Sequence, residues 1–211
     1  MTESPAPELH VSWEDVPGAL AGTHVWLARA DAAHATPRGA ATRILSRLLR
    51  VPAEGISFAK DLHGRPHLVA PAEASAYSVS TARADDVMAV AIACGVPVGV
   101  DVEWTTRVPD AMAIMPDFFT SAEAAWVASH DRFERDVAFY KCWTMKEAFS
   151  KAVGLGASFG LREVELGVSG ANETHIRSVH GGRTLAEGWR LWHHVVPIGG
   201  RRAVLAVVDA R

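Results

Sequence analysis

Asp101 and Glu103 stand two residues apart in the run Val98-Gly99-Val100-Asp101-Val102-Glu103, whose alternation with valine is that of a β-strand. Strand side chains alternate faces, so both carboxylates project to one side, about 7 Å apart along the chain, while Val100 and Val102 turn to the other. Two carboxylates framed in this way suit a hard divalent cation such as Mg2+. They suit equally the solvated acidic face of an edge strand.

A second stretch runs from Phe139 to Lys151 (FYKCWTMKEAFSK). On a helix, Glu147 and Lys151 lie at i and i+4 on one face, and Trp143 and Tyr140 continue that face backwards. An exposed Glu–Lys pair of this kind is ordinary helix surface, worth roughly a few tenths of a kcal/mol. The two aromatic neighbours predict partial burial instead, and a half-buried ion pair calls for a reason. Together the two stretches offer three carboxylates and a lysine, a set suited to phosphoryl chemistry. Mg2+ neutralises phosphate oxygens, a carboxylate takes the proton of an incoming hydroxyl, and a lysine offsets charge developing on a diphosphate.

The elements that must position these groups can be read around them. Residues 1–22 mix Pro, Glu, Ser and Gly and read as a loose polar lead-in, and Thr23 to Ala30 reads as a strand. Pro37 sits where a first helical turn accepts it, and Ala40 to Arg50 carries Ile44, Leu45, Leu48 and Leu49 at helical spacing. Gly55 to Leu68 holds short extended pieces around the turn signature His63-Gly64-Arg65-Pro66. Three β-leaning runs follow, Tyr77 to Ser80, Val87 to Ala93 and Val96 to Trp104; the last two, joined by Cys94-Gly95, read as a hairpin. Thr120 with Glu123 three residues on predicts a capping box. A long helix from Arg132 to Val153 should end at Gly154 and Gly156. From Leu161 to Val208 the chain reads as several strands with turns at Gly167, Gly170, Gly181-Gly182 and Gly199-Gly200. The order strand–helix–strands occurs once before residue 98 and approximately again after it. The expected class is therefore α+β with mainly antiparallel sheets, in an N-terminal half (23–98) and a C-terminal half (99–211).

Composition removes several other functions. The formal net charge of −3 argues against a nucleic-acid binder, which needs a basic surface to displace counterions. Cys94 and Cys142 are the two cysteines, with no CxxC pair or zinc spacing. Met1 to His10 has no apolar signal core, and no run approaches a membrane span, so a cytoplasmic protein without membrane contact is expected. Among ten histidines, His193 and His194 are strand neighbours facing opposite ways, and His63 and His67 straddle a turn with no third ligand. Neither Ser150 nor Ser169 has the flanks of a nucleophile elbow, and Walker A and GxGxxG patterns are absent.

Gly99-Val100-Asp101-Val102-Glu103, followed about forty residues later by Trp143-Thr144-Met145-Lys146-Glu147-Ala148-Phe149-Ser150-Lys151, resembles the paired signature of the 4′-phosphopantetheinyl transferase superfamily. Spacing and flanks are similar to its Sfp type, a monomeric class with two pseudo-symmetric halves. Phe118-Phe119-Thr120-Ser121-Ala122-Glu123 is similar to the Phe-Phe-Ser-x-x-Glu segment of that type, and Gly64-Arg65-Pro66-His67-Leu68 resembles its Gly-Lys-Pro segment. The similarity covers residues 64 to 156. The resemblance implies a pseudo-symmetric α+β fold and transfer of the phosphopantetheine arm of coenzyme A to a serine of an apo acyl or peptidyl carrier protein, leaving 3′,5′-ADP. It implies Asp101, Glu103 and Glu147 as Mg2+ ligands, Glu147 as the base for the carrier serine, and Lys151 on the diphosphate. Arg65, standing where the family has lysine, would lie near the nucleotide phosphates and could grip one bidentately. Ser80, Thr81 and Arg38 would complete the coenzyme A site.

Two positions depart from the family pattern. Ser78-Val79-Ser80-Thr81-Ala82 replaces Asn-Leu-Ser-His-Ser, so Thr81 stands for the histidine that meets the 3′-phosphate, and that contact is either weaker or taken over by Arg83, Arg38 or Arg43. Asp117 precedes Phe118 where arginine is usual, which bears on docking of an acidic carrier. Phe118 and Phe119 read as core residues or as a carrier-docking border. Two rival functions share these residues: a non-catalytic binder of coenzyme A or a carrier, and a Mg2+-dependent hydrolase of nucleotide diphosphates.

Overall fold

The computed structural model describes residues 8–11, 22–29, 36–62, 65–106, 111–154, 160–169, 173–179 and 188–210. Chain order is β1 (Glu8–Val11), β2 (Thr23–Arg29), α1 (Pro37–Leu49), β3 (Ser57–Lys60), β4 (Pro66–Ala70), β5 (Tyr77–Ala84), β6 (Val87–Cys94) and β7 (Val98–Trp104). There follow α2 (Ala111–Phe118), α3 (Ser121–Ala128), α4 (Arg132–Val153), β8 (Val164–Ser169), β9 (Glu173–Val179), β10 (Trp189–Ile198) and β11 (Arg201–Ala210). One sheet has the order β1-β2-β6-β5 and a second the order β10-β11-β7, with β3-β4 and β8-β9 as separate two-stranded ribbons; every pairing is antiparallel. The class is α+β, as expected. The topology also recurs. A strand (β2 or β7), a long helix (α1 or α4), a ribbon and a hairpin follow in turn, and the last strand of the hairpin returns to pair with the first.

Period-2 alternation builds the core. Val98, Val100, Val102 and Trp104 of β7 join Ala203, Leu205 and Val207 of β11 and Val87, Ala89, Ala91 and Ala93 of β6 in one buried cluster. The inner faces of the two main sheets thus share a core, and the alanines of β6 let them approach closely. Each outer face carries its own helix. Ile44 and Leu45 of α1 pack on Met88, Val90 and Ile92; Met145, Ala148, Phe149 and Ala152 of α4 pack on Ala206 and Val208. α1 begins at Thr36, whose side chain accepts from Gly39 N, with Pro37 in the first turn.

Three expectations change. The lead-in contains an edge strand, β1, paired with β2. β6 and β7 form no hairpin, because both edges of β6 are taken by β2 and β5, and β7 pairs with β11 instead. The hairpin is β5–β6, closed by Asp85-Asp86 with Asp85 at φ 49°. Asp is among the residues that tolerate such an angle. Gly167 is no turn: it lies within β8 opposite His175, where a Cβ would collide with the histidine ring. Gly199-Gly200 does turn β10 into β11, both at positive φ as a type I′ loop requires. Helix α4 has the expected bounds, with Gly154 at φ 75° after it. His63, Gly64, Gly156, Gly170, Gly181 and Gly182 lie outside the described residues.

Candidate active site

β7 and α4 meet at Gly99. A Cβ there would lie 1.9 Å from Ala148 O and 2.7 Å from Ala152 N, so the helix backbone rests directly on the strand. Gly99, Asp101 and Glu103 share that face, since Val100 and Val102 are committed to the opposite core. On α4, Tyr140, Trp143, Glu147 and Lys151 are each half-buried, while Cys142, Met145, Ala148, Phe149 and Ala152 are buried. The aromatic–acid–base face therefore has the partial burial its spacing predicts.

Lys151 turns to the strand and not to Glu147. Its Nζ donates to Asp101 Oδ1 at 2.7 Å and to Val100 O at 3.1 Å. Burial pushes the Asp101 carboxyl up to about 6 despite the opposing pull of Lys151, and the charge of Glu147 adds to the rise. Burial likewise pushes Glu103 up to about 7, helped by the charges of Asp101 and Glu147 and opposed by Lys151. The three carboxyls are thus electrostatic neighbours. They are not a closed ligand shell: among the described residues, no three His, Cys, Asp or Glu side chains converge to hold an ion as they stand. Mutual repulsion works against convergence, and the ammonium of Lys151 already occupies one oxygen of Asp101.

The residues nevertheless fit a hard cation. Asp101 Oδ2 is buried with no hydrogen-bond partner, an expensive state for a carboxylate oxygen and one that a cation beside it would relieve. Carboxylates are hard oxygen donors, which suit cations such as Mg2+, Ca2+ or Mn2+ better than softer metals.

Arg65 lies beside a cleft of about 470 Å3 lined also by Asp61, Tyr77, Ser78, Val96 and Pro97. Its Nη1 donates to Ala152 O (3.1 Å) at the end of α4, and its Nη2 to Ser78 Oγ (3.0 Å). Burial lowers its pKa from the usual value, with Asp61 opposing. One N–H of each terminal nitrogen is thus spent inside the protein, which leaves less of the guanidinium for a two-point grip on phosphate than the sequence alone suggests. Ser80 is also committed: its buried Oγ accepts from Val100 N at 3.0 Å. Ser80 is a brace between β5 and β7. Thr81 is half-buried on the opposite face of β5, with Arg83. Arg38 is exposed in the first turn of α1, its guanidinium 5.6 Å from the centroid of the Phe58 ring. Among the described residues, no contact ties Arg38 or Thr81 to the carboxyl cluster, and Ser80 and Thr81 do not share a face. Of the two phenylalanines, Phe119 is core against Phe139, and Phe118 is half-buried in a T-shaped contact with Trp143.

Two features escape a reading of the sequence. Ser78 accepts from both Arg65 and Val98 N, so Ser78 and Ser80 together satisfy alternate amides along the edge of β7. Their signal was a pair of serines two residues apart, on the strand face that continues as Ala82 and Ala84. Lys146 and Glu123 form a wholly buried ion pair behind α4. The capping box of Thr120 and Glu123 is present as expected, but it explains only part of what the glutamate does.

A family model for the 4′-phosphopantetheinyl transferase superfamily matches residues 97–208, just over half of the chain. The 4′-phosphopantetheinyl transferase gsp of Aneurinibacillus migulanus is 29% identical over 114 residues, 54% of this chain and 45% of that protein. A putative 4′-phosphopantetheinyl transferase of Synechocystis, slr0495, is 30% identical over 129 residues, 61% of this chain and 52% of that one. The human L-aminoadipate-semialdehyde dehydrogenase-phosphopantetheinyl transferase is 27% identical over 139 residues, 62% and 45% of the respective chains. The chain thus spans about half the length of the curated relatives it matches. Among solved structures, a holo-(acyl-carrier-protein) synthase from Bacillus anthracis in complex with CoA (3′,5′-ADP) aligns at a TM-score of 0.42 and 17% identity, covering 54% of this chain and 95% of that chain. The matched span runs from just before β7 almost to the end of β11 and holds Asp101, Glu103, Glu147 and Lys151 alike. By that match the chain belongs to the 4′-phosphopantetheinyl transferase superfamily.

Proposed function

We propose that this chain transfers the 4′-phosphopantetheine arm of coenzyme A to a serine of an apo acyl or peptidyl carrier protein, giving holo carrier and 3′,5′-ADP. The observation that carries the reading is Asp101: a buried carboxylate with one oxygen on Lys151 and the other unpartnered, on the strand face that meets Glu147. Asp101, Glu103 and Glu147 would hold Mg2+, whose charge supplies neutralisation of the diphosphate oxygens. Glu147 takes the proton of the carrier serine as its oxygen bonds to the β-phosphorus of coenzyme A. The bond from that phosphorus to the bridging oxygen breaks, and the electron pair leaves on 3′,5′-ADP. Lys151, 32% exposed at the side chain, keeps one N–H beyond those given to Asp101 and Val100 to meet charge arriving on the diphosphate. Arg65 lines the cleft that would take the nucleotide. Arg38 and Thr81 would contact coenzyme A from the α1 side of the sheet, and Ser80 supports the strand that carries Asp101.

We read residues 23–98 and 99–211 as two related halves after the 1–22 lead-in, in a cytoplasmic monomer that needs neither membrane nor nucleic acid. Among the described residues, no helix is long and apolar enough to cross a membrane. The test is incubation with coenzyme A, Mg2+ and a panel of apo carriers, followed by intact-protein mass spectrometry. Transfer adds the mass of one phosphopantetheine arm to a carrier serine; a hydrolase would cleave coenzyme A with no carrier present, and a binder would do neither. Glu147→Gln should slow transfer by roughly 10²–10⁴, the usual worth of a positioned base. Near-native turnover in that variant would remove Glu147 from the role.

A further inference from the structure

Lys146 immediately precedes Glu147 on α4 and points the other way, into a site with no exposed surface at all. Its Nζ lies 2.7 Å from Glu123 Oε2, both side chains being 0% exposed. Its three N–H groups are shared between that carboxylate and the carbonyls of Phe118 (3.2 Å), Leu161 (2.8 Å) and Val164 (2.7 Å). Glu123 in turn accepts from Thr120 N and from Leu166 N, both at 2.8 Å. Five points therefore converge on one charge pair: the end of α2, the start of α3, the turn before β8, β8 itself, and α4. Burial lowers the pKa of Lys146 while Glu123 holds it up.

A buried ion pair is a poor device for stability alone, since apolar residues of similar volume often serve as well or better. What it provides is direction. The apolar neighbours Cys142, Met145 and Phe149 press α4 against the core, and to this non-directional packing the ammonium adds directional contacts with the end of α2, the start of α3 and the β8 arm, which restrain both rotation and height. A carboxylate about 6 Å from the axis of a helix moves about 1 Å for each 10° the helix turns. A misplacement of that size can cost about 10²-fold in rate.

We propose that Lys146 and Glu123 are positioning residues for the reaction, setting the angle at which α4 presents Glu147 and Lys151 to Asp101 and Glu103. The proposal rests on the transferase reading for its kinetic consequence and on the structure alone for its mechanical one. The double variant E123Q/K146M removes both charges and nearly conserves volume, whereas K146M alone strands a buried carboxylate. Two readouts are taken on the double variant: hydrogen exchange of amides 143–151 against those of β6, and steady-state transfer to the carrier found for the native chain.

Expected are cooperative unfolding, exchange over 143–151 at least tenfold faster with β6 unchanged, kcat down about 10²-fold, and a KM for coenzyme A within about threefold of native. A merely structural role would speed exchange in α4 and β6 together. Native exchange over 143–151, or native kcat, overturns the proposal. Should E123Q/K146M fail to unfold cooperatively, E123D keeps both charges, withdraws the carboxylate by one methylene and is judged by the same two readouts. A native chain that modifies no carrier refutes the transferase reading, and the exchange result still decides the positioning role.

Discussion

Gly99→Ala adds one methyl group where the structure has no room for it. The new Cβ would stand 1.9 Å from Ala148 O, 2.7 Å from Ala152 N and 2.9 Å from Ala148 C, all of them backbone atoms of α4 that no rotamer change can move aside. Reaching even 3.0 Å requires α4 and β7 to part by about 1.1 Å. Glu147 and Lys151 ride on one of these elements, Asp101 and Glu103 on the other, so the separation passes directly into the site. Overpacking of this kind costs about 1–3 kcal/mol. At about 2–4 °C per kcal/mol for a chain of this size, the midpoint of unfolding should fall by about 2–12 °C. A shift of about 1 Å between reacting groups predicts a loss of about 10²-fold in transfer. Scanning calorimetry and carrier-modification kinetics measure the two effects. Gly55→Ala is the control, since a Cβ at Gly55 meets nothing within 4 Å. If Gly99→Ala is as stable and as active as Gly55→Ala, α4 does not bear on β7 in the way described, and the assembly of the site from these two elements is wrong.

Ser80→Ala should leave Val100 N without its acceptor and cost about 1–3 kcal/mol, read as a lower midpoint in urea; an unchanged midpoint would mean β5 and β7 are not braced there. Lys151→Met removes the ion pair of Asp101 and favours the carboxyl over the carboxylate. The destabilisation relative to native should therefore be larger at pH 8 than at pH 5, and an equal loss at both would contradict the pairing. Asp101 and Glu103 are raised to about 6 and about 7, so with no cation added the folded chain keeps protons that the unfolded chain has released from about pH 4 upward. These two groups therefore make stability fall as pH rises from about 4 to about 7. Mg2+ favours the ionised forms and should reverse that trend, with affinity rising from pH 5.5 to 8 and protons released on binding at pH 6.5. Calorimetric titration in two buffers of different ionisation enthalpy measures the release, and its absence would separate the cation from these carboxyls.

The strand face of Asp101 and Glu103 and the helical face of Tyr140, Trp143, Glu147 and Lys151 were legible in the sequence, because alternation and i,i+4 spacing are local rules and burial followed them. The bounds of α4 were legible for the same reason. What sequence could not show was partner choice. Lys151 selects Asp101, fifty residues away, over Glu147 one turn before it, because the strand carboxylate is the more deeply buried. The expected β6–β7 hairpin failed because a turn signature says that a chain reverses and not which edge is vacant; β6 was already flanked by β2 and β5. Asp85-Asp86 closes the real hairpin without glycine, through an aspartate at positive φ. Lys146 and Glu123 were hidden for a related reason: charged residues are expected outside, and only the convergence of distant carbonyls makes a buried site for them.

A site shared between two sheets invites the idea of a hinge that closes on substrate, but the contacts argue otherwise. The inner faces of both sheets contribute to one continuous core, in which Ala89 and Ala91 of β6 cluster with Val100 and Val102 of β7. Along the seam, Ser78 and Ser80 hold alternate amides of β7, and Arg65 ties the β4 arm to the end of α4. At the far end, the wholly buried Asp209 accepts from Thr23 of β2 while Arg190 of β10 grips both its oxygens, so a single carboxylate joins the two sheets again. Opening such a joint would expose apolar surface and strand a buried charge together, each costly in water. The adjustable part is smaller: the half-exposed Lys151 can exchange Asp101 for a phosphate by rotating its own side chain. The rearrangement that the proposed transfer would require is therefore one of side chains at a fixed junction, and for that reaction the rigidity of α4, set by Lys146 from behind and by Gly99 in front, would matter more than any motion of the sheets.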